Sequence, residues 1–152
     1  MSIGDTISAL LNEVVAALVA ADIPDVADVH RSLTAESLIY RDSEGQLPAI
    51  GVRYLGHDPQ ESLSAGYAGL RRQRVTVRME VAIAVQDESD DAVRLDRAVA
   101  IWGYVWDTLC GLRTSVPGAL VAYSCGPGGD VNAPRLDMTV FAQQVSIDIT
   151  TT

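Results

Sequence analysis

The sequence predicts an α+β fold: an antiparallel sheet of four to five strands with two main helices packed on one face. Three observations predict it. Val75, Val77, Met79, Val81, Ile83 and Val85 alternate with Thr76, Arg78, Glu80, Ala82 and Ala84, the period of a long strand with one buried face. Two separate stretches, near residues 3–21 and 89–112, carry apolar residues at helical spacing. Helices this few, and so placed, do not provide repeated right-handed βαβ crossovers, so a mostly parallel sheet is disfavoured. The chain of 152 residues, 48% of them hydrophobic, is expected to form a single domain spanning 1–152.

The first helix is read from Ile3, Ile7, Leu10, Leu11, Val14 and Leu18, with Ser2 as a cap, Asp5 three residues on, and Pro24 as a stop. Val29, Arg31 and Leu33 suggest a short strand. Ser37 to Leu55 reads as a β-hairpin about the turn Asp42-Ser43-Glu44-Gly45, because Ile50, Val52 and Tyr54 alternate with Ala49, Gly51 and Arg53. Gly56 to Arg74 carries Gly56, Pro59, Gly66 and Gly69 among small polar residues, and is expected to be a long mobile loop.

The long strand covers about 73–86 and ends in an acidic turn. The second helix follows, capped by Ser89 or Asp90, with Leu95, Val99, Trp102, Val105, Trp106 and Leu109 as its apolar stripe and Gly111 at its end. Ala119 to Ser124 reads as a strand and Gly126 to Asp130 as a loop. Arg135 to Thr150 reads as a last long strand. Leu136, Met138, Val140 and Ala142 share one parity and Val145, Ile147 and Ile149 the other, which predicts a β-bulge or bend at Gln143-Gln144.

Charge and composition exclude several classes. The formal net charge is −9, and all eleven basic residues are arginine. That balance argues against a dedicated nucleic-acid binder, which carries a basic stripe to replace phosphate counterions. No run of about 18 apolar residues predicts a membrane span, and the N-terminus lacks the basic and apolar regions of a signal peptide. The two cysteines are too few for a disulfide framework, and Cys110, inside the second helix, reads as a small buried hydrophobe.

No catalytic, metal or cofactor site is expected. His57-Asp58 with Ser62 and Ser64 lacks the spacing that places a histidine between nucleophile and carboxylate, and reads as polar loop. Asp87, Glu88, Asp90 and Asp91 lack the ligand pattern of a calcium loop and suit a turn and a helix N-terminus. Gly126-Pro127-Gly128-Gly129 has no Gly-Lys-Ser/Thr and no helix after it, so it is no phosphate cradle. His30 stands apart from other metal-ligating residues.

Arg71, Arg72, Arg74 and Arg78 form a basic cluster open to two readings. They pair with surface carboxylates, which contributes little, or they recognise carboxylates of a neighbouring subunit, with Asp87, Glu88, Asp90 and Asp91 as the candidate counterpart. The outward face of the long strand ends in Ala82 and Ala84, small enough to admit another element or subunit.

This layout resembles the tail-terminator and neck proteins of tailed phages and prophages. The likeness runs through an N-terminal amphipathic helix, the Pro48-Ala49-Ile50-Gly51-Val52-Arg53-Tyr54 strand, and a Gly- and Arg-containing loop. It continues through the strand Arg74 to Val85, an acidic turn, a helix with Ile101-Trp102 and Val105-Trp106, and a closing β region. The resemblance implies a non-enzymatic structural protein without cofactor. It would form a ring, commonly a hexamer, at the head-proximal end of a tail tube, in some cases from a monomer in solution. Its partners would be tail-tube and head-connector proteins, and its place the host cytoplasm during assembly and then the virion. A head–tail connector or completion protein shares the layout. A small non-viral ligand-binding α+β domain, with 56–74 as a lid over a pocket containing His57, Asp58 and Tyr67, is the alternative from another class.

Overall fold

The computed structural model describes residues 3–31, 47–62, 73–86, 90–112, 121–124, 129–131 and 138–151. Along the chain, α1 (Ile3–Ala20), β1 (Asp28–Arg31), β2 (Ala49–Ser62), β3 (Gln73–Gln86), α2 (Asp91–Cys110), β4 (Val121–Ser124), β5 (Gly129–Val131) and β6 (Met138–Thr151) follow in order. The fold is α+β. The strands lie side by side as β1-β2-β3-β6-β4, and β5 pairs with β6. β4 and β5 occupy successive stretches of the same outer edge of β6, opposite Val145–Asp148 and Val140–Ala142. Every pairing is antiparallel except one: β1 runs parallel to β2, from Asp28 opposite Ala49 to Arg31 opposite Val52. The expected hairpin about residues 42–45 falls largely outside the described residues; β2 itself pairs antiparallel with β3.

The core lies between one face of the sheet and the two helices. Ile7, Leu10, Leu11, Val14 and Leu18 of α1 and Ala98, Ile101, Val105 and Leu109 of α2 meet Ile50, Val52, all six odd-numbered apolar residues of β3, and Val145, Ile147 and Ile149. α1 lies against β1 and β2, and α2 against β3 and β6. Burying each such side chain stabilises the fold by roughly 1.5–3 kcal/mol relative to exposure. Past α1, the chain reverses through Asp22 and Asp25, both with positive φ, and Arg97 of α2 clamps Asp25 with two bonds of 2.8 and 2.9 Å. Asp90 caps α2, its Oδ1 accepting from the Val93 N–H at 2.9 Å.

The structure corrects five expectations. Gly56 to Ser62 is not loop but the second half of β2; β3 covers Gln73–Gln86 as its alternation predicts, and residues 63–72 lie outside the described residues. Two register shifts, at Tyr54/Gly56 and Pro59/Glu61, let that irregular stretch stay paired with β3. Gly129 and Asp130 are in β5 rather than a loop.

β6 has no bulge at Gln143-Gln144: it pairs with β3 without a break from Met138 to Thr151. The parity change arises because this strand is buried on both faces. Val140 and Ala142 join a second buried cluster, with Ala49, Ala82 and Ala84, on the face opposite the helices, while Phe141 packs toward the main core. The buried line of α2 is Arg94, Ala98, Ile101, Val105 and Leu109; it shares Val105 and Leu109 with the predicted stripe but not Leu95, Val99, Trp102 or Trp106. Small Ala98 faces the sheet, and the bulky indoles sit on the flank, where Trp102 packs on Phe141 with ring centroids 6.3 Å apart. Cys110, at the last turn, is exposed rather than buried.

Candidate subunit interface

The face of the sheet away from the helices carries Thr76, Arg78 and Glu80 of β3, as the alternation predicts, beside polar residues of β2 and β6. Its register sets Arg53 opposite Glu80, Arg78 opposite Ser146 and Gly56, and Thr76 opposite Asp148 and Asp58. Arg53 and Glu80 form an ion pair at 3.0 Å, and Arg78 reaches Asp58 at 3.3 Å. Thr76 donates a 2.7 Å hydrogen bond to Asp148. Towards the Gln86 end of β3 the same face turns apolar: Ala49, Ala82, Ala84 and Val140 are at most 1% exposed, with Leu47 packed against them. The small residues expected to admit a close neighbour are therefore buried within the chain itself.

Of the predicted interface residues, Arg78 is half-exposed on this face and Arg74 lies in β3 opposite Glu61 and Thr150. Arg71, Arg72, Asp87 and Glu88 lie outside the described residues. Asp90 is the helix cap, and Asp91 lies in the first turn of α2, paired with Arg94. Arg78 and the end of β3 at Gln86 are separated by eight residues of extended chain, about 26 Å. Within one copy Arg78 pairs with Asp58, and Asp90 and Asp91 are engaged at the start of α2, so these described members of the two groups do not pair with each other.

The His57-Asp58 step is resolved by strand geometry. Consecutive residues of a strand point to opposite faces. His57 Nδ1 meets the Tyr54 hydroxyl at 2.5 Å, while Asp58 pairs with Arg78. The two side chains therefore do not form a dyad. Among the described residues no three His, Cys, Asp or Glu side chains converge as metal ligands, and no helix is long and apolar enough to cross a membrane. His30 pairs with Asp28 at 2.9 Å on β1.

Two placements escaped sequence reasoning. Arg94, on the helix flank facing the sheet, is 3% exposed; its Nε donates to Thr139 Oγ1 at 3.2 Å and its guanidinium pairs with Asp91. The i,i+3 spacing of Asp91 and Arg94 was a readable signal, but Thr139 was not. The second is a groove of about 230 Å³ between the start of α1 and the bulged part of β2, lined by Gly4, Ile7, Ser8, Leu11, Arg31, Tyr54 and His57. It assembles from three elements, so no local pattern could reveal it.

No family model and no curated protein sequence matches this chain. Among solved structures, the chain is similar to a chain of the "Virion of native gene transfer agent (GTA) particle", with a TM-score of 0.60 and 13% identity, covering 96% of this chain and 98% of the other. At that identity the likeness is one of fold, and it runs nearly end to end in both chains.

Proposed function

We propose that this protein is a structural virion component that forms a ring capping the tail tube and joining it to the head, in the manner of a phage tail terminator. The observation that carries the reading is the fold shared, over nearly the full length of both chains, with a component of a gene transfer agent virion. That likeness supports a structural role in a virus-like particle; the terminator role rests on the resemblance of layout described above. A ring former needs a rigid scaffold and two complementary surfaces rather than reacting groups. The 14-residue strands β2, β3 and β6 supply the scaffold, whose face away from the helices carries Arg53, Arg78, Glu80 and Asp148. On this reading the protein is not an enzyme, and the acidic chain lets nucleic acid pass a central channel without holding it, because like charges repel.

Gold labelling of particles from producing cells that carry a tagged copy tests the reading. A head–tail terminator places the label at the junction of head and tail. Label along the whole tail assigns a tube role instead, and particles free of the tagged chain contradict a virion role altogether.

A further inference from the structure

We propose that the two flanks of the helical layer form a head-to-tail contact between copies of this chain. The outward ridge of α2 on one copy, Val99 with Trp102 and Trp106 and the carboxylate of Asp96, seats on the α1–β2 groove of the next copy. This inference rests on the ring reading and names the contact that closes it.

The ridge and the groove lie on opposite flanks. Arg97 reaches from α2 to Asp25, in the connection after α1, so that side of α2 faces α1. Trp102 packs on Phe141 of β6, so the tryptophan side of α2 faces the other way, toward the β4–β5 edge. The groove belongs to α1 and to the β1–β2 edge of the sheet. A closed ring built from one kind of subunit needs this arrangement: two different patches, facing away from each other, that complement one another.

The chemistry of the two patches also matches. On the ridge, Val99 is 46% exposed, Trp102 and Trp106 are half-buried, and their ring centroids are 6.0 Å apart. Tryptophans held this way are the usual anchors of an interface, large and already ordered. Exposed Asp96 lies one turn before Val99, and exposed Asp107 lies one turn after Gly103, so the outward side of the helix is acidic.

The groove has an apolar floor of Ile7 and Leu11, and Arg31 is the cation among its lining residues. Arg31 is held to α1 by a 3.1 Å bond from Nη1 to Asn12 Oδ1, which uses one of its five donors. The Tyr54 hydroxyl lies on His57 Nδ1 across the bulge at Leu55, and with that hydroxyl donating, the ring presents Nε2–H as a further donor. The acidic, aromatic ridge thus complements an apolar groove that carries the Arg31 cation.

The test uses the full chain and two variants at exposed positions, Val99→Arg on the ridge and Ser8→Arg on the groove wall, with Arg31→Glu as a second groove variant. Thermal unfolding of each alone confirms that it folds. By mass photometry and sedimentation, each single variant should need at least about tenfold more protein to associate than the wild type. Mixing Val99→Arg with Ser8→Arg should restore association but stop it at a one-to-one dimer, because only one intact ridge and one intact groove remain. Rings that persist in every variant overturn this contact and leave the ring reading standing. A wild-type chain that never associates, even at the highest concentration reached, overturns this contact. Singles that fail and a mixture that also fails overturn the ridge-in-groove pairing.

Discussion

The guanidinium of Arg78 lies over Gly56: its Nη2 is 3.0 Å from where a Cβ on Gly56 would stand, while its Nε lies 3.3 Å from Asp58 Oδ2. Gly56 has a φ of +145°, a backbone conformation that other residues adopt only with strain. Both the bulge of β2 and the path of the arginine thus depend on the missing side chain. Gly56→Ala is expected to destabilise the protein by about 1–3 kcal/mol. Chemical denaturation checks this, and an unchanged midpoint would show that the bulge relaxes without cost.

Arg94 anchors the start of α2 to β6 through the Thr139 hydroxyl. Thr139→Val keeps the volume and removes the acceptor from a buried cation, so it should cost about 1–3 kcal/mol. Thr139→Ser keeps the hydroxyl and should cost clearly less. Equal losses for the two would mean that the methyl group, not the bond, matters. Asp91 is itself 89% exposed on its side chain, but it partners the same buried guanidinium, so Asp91→Ala should also cost about 1–3 kcal/mol by leaving that charge with one partner fewer.

The alanine cluster on the second sheet face makes a different kind of prediction. Ala84 is fully buried against Ala49 and Val140, whereas Ala100 on α2 is exposed. Ala84→Leu should therefore cost about 1–3 kcal/mol by overpacking, and Ala100→Leu should stay within about 0.5 kcal/mol. Urea midpoints of the two variants make the comparison. A tolerated Ala84→Leu would mean that this layer has room to spare.

Arg78 separates stability from assembly. Its partner Asp58 is 61% exposed, and such a surface pair contributes at most about 1 kcal/mol to folding. Arg78→Glu should hardly move the melting temperature. If the polar sheet face is buried between subunits, the same change should abolish ring formation, since a like-charge contact there is desolvated. Rings that form normally with Arg78→Glu would remove this residue from the interface.

Much of the fold is legible in the sequence, and the exceptions have physical causes. The spacing from Ile7 to Leu18 and the alternation from Val75 to Val85 are local signals, and the helix and strand appear where these place them. The second half of β2 misled because Gly56, His57, Asp58 and Pro59 carry turn chemistry. They remain in a strand because bulges absorb the extra residues, and Pro59 lies beyond the stretch that β1 pairs, on what is there an edge among the described residues. The apparent break in β6 came from burial on both faces, which a rule for one-sided strands misreads. The stripe of α2 misled because the largest apolar side chains pack at its flank while Ala98 and a buried arginine face the sheet. The parallel pairing of β1 with β2 depends on tertiary arrangement, which periodicity does not encode. The groove and the Arg53–Glu80 and Thr76–Asp148 pairs follow only once register is known.

The most direct test of the central claim is negative-stain microscopy of the purified chain with mass photometry across a concentration series. The account predicts closed rings of one subunit type, six-fold or of similar order, with a central channel, appearing as concentration rises. A closed two-fold dimer as the only assembly at every concentration would contradict it.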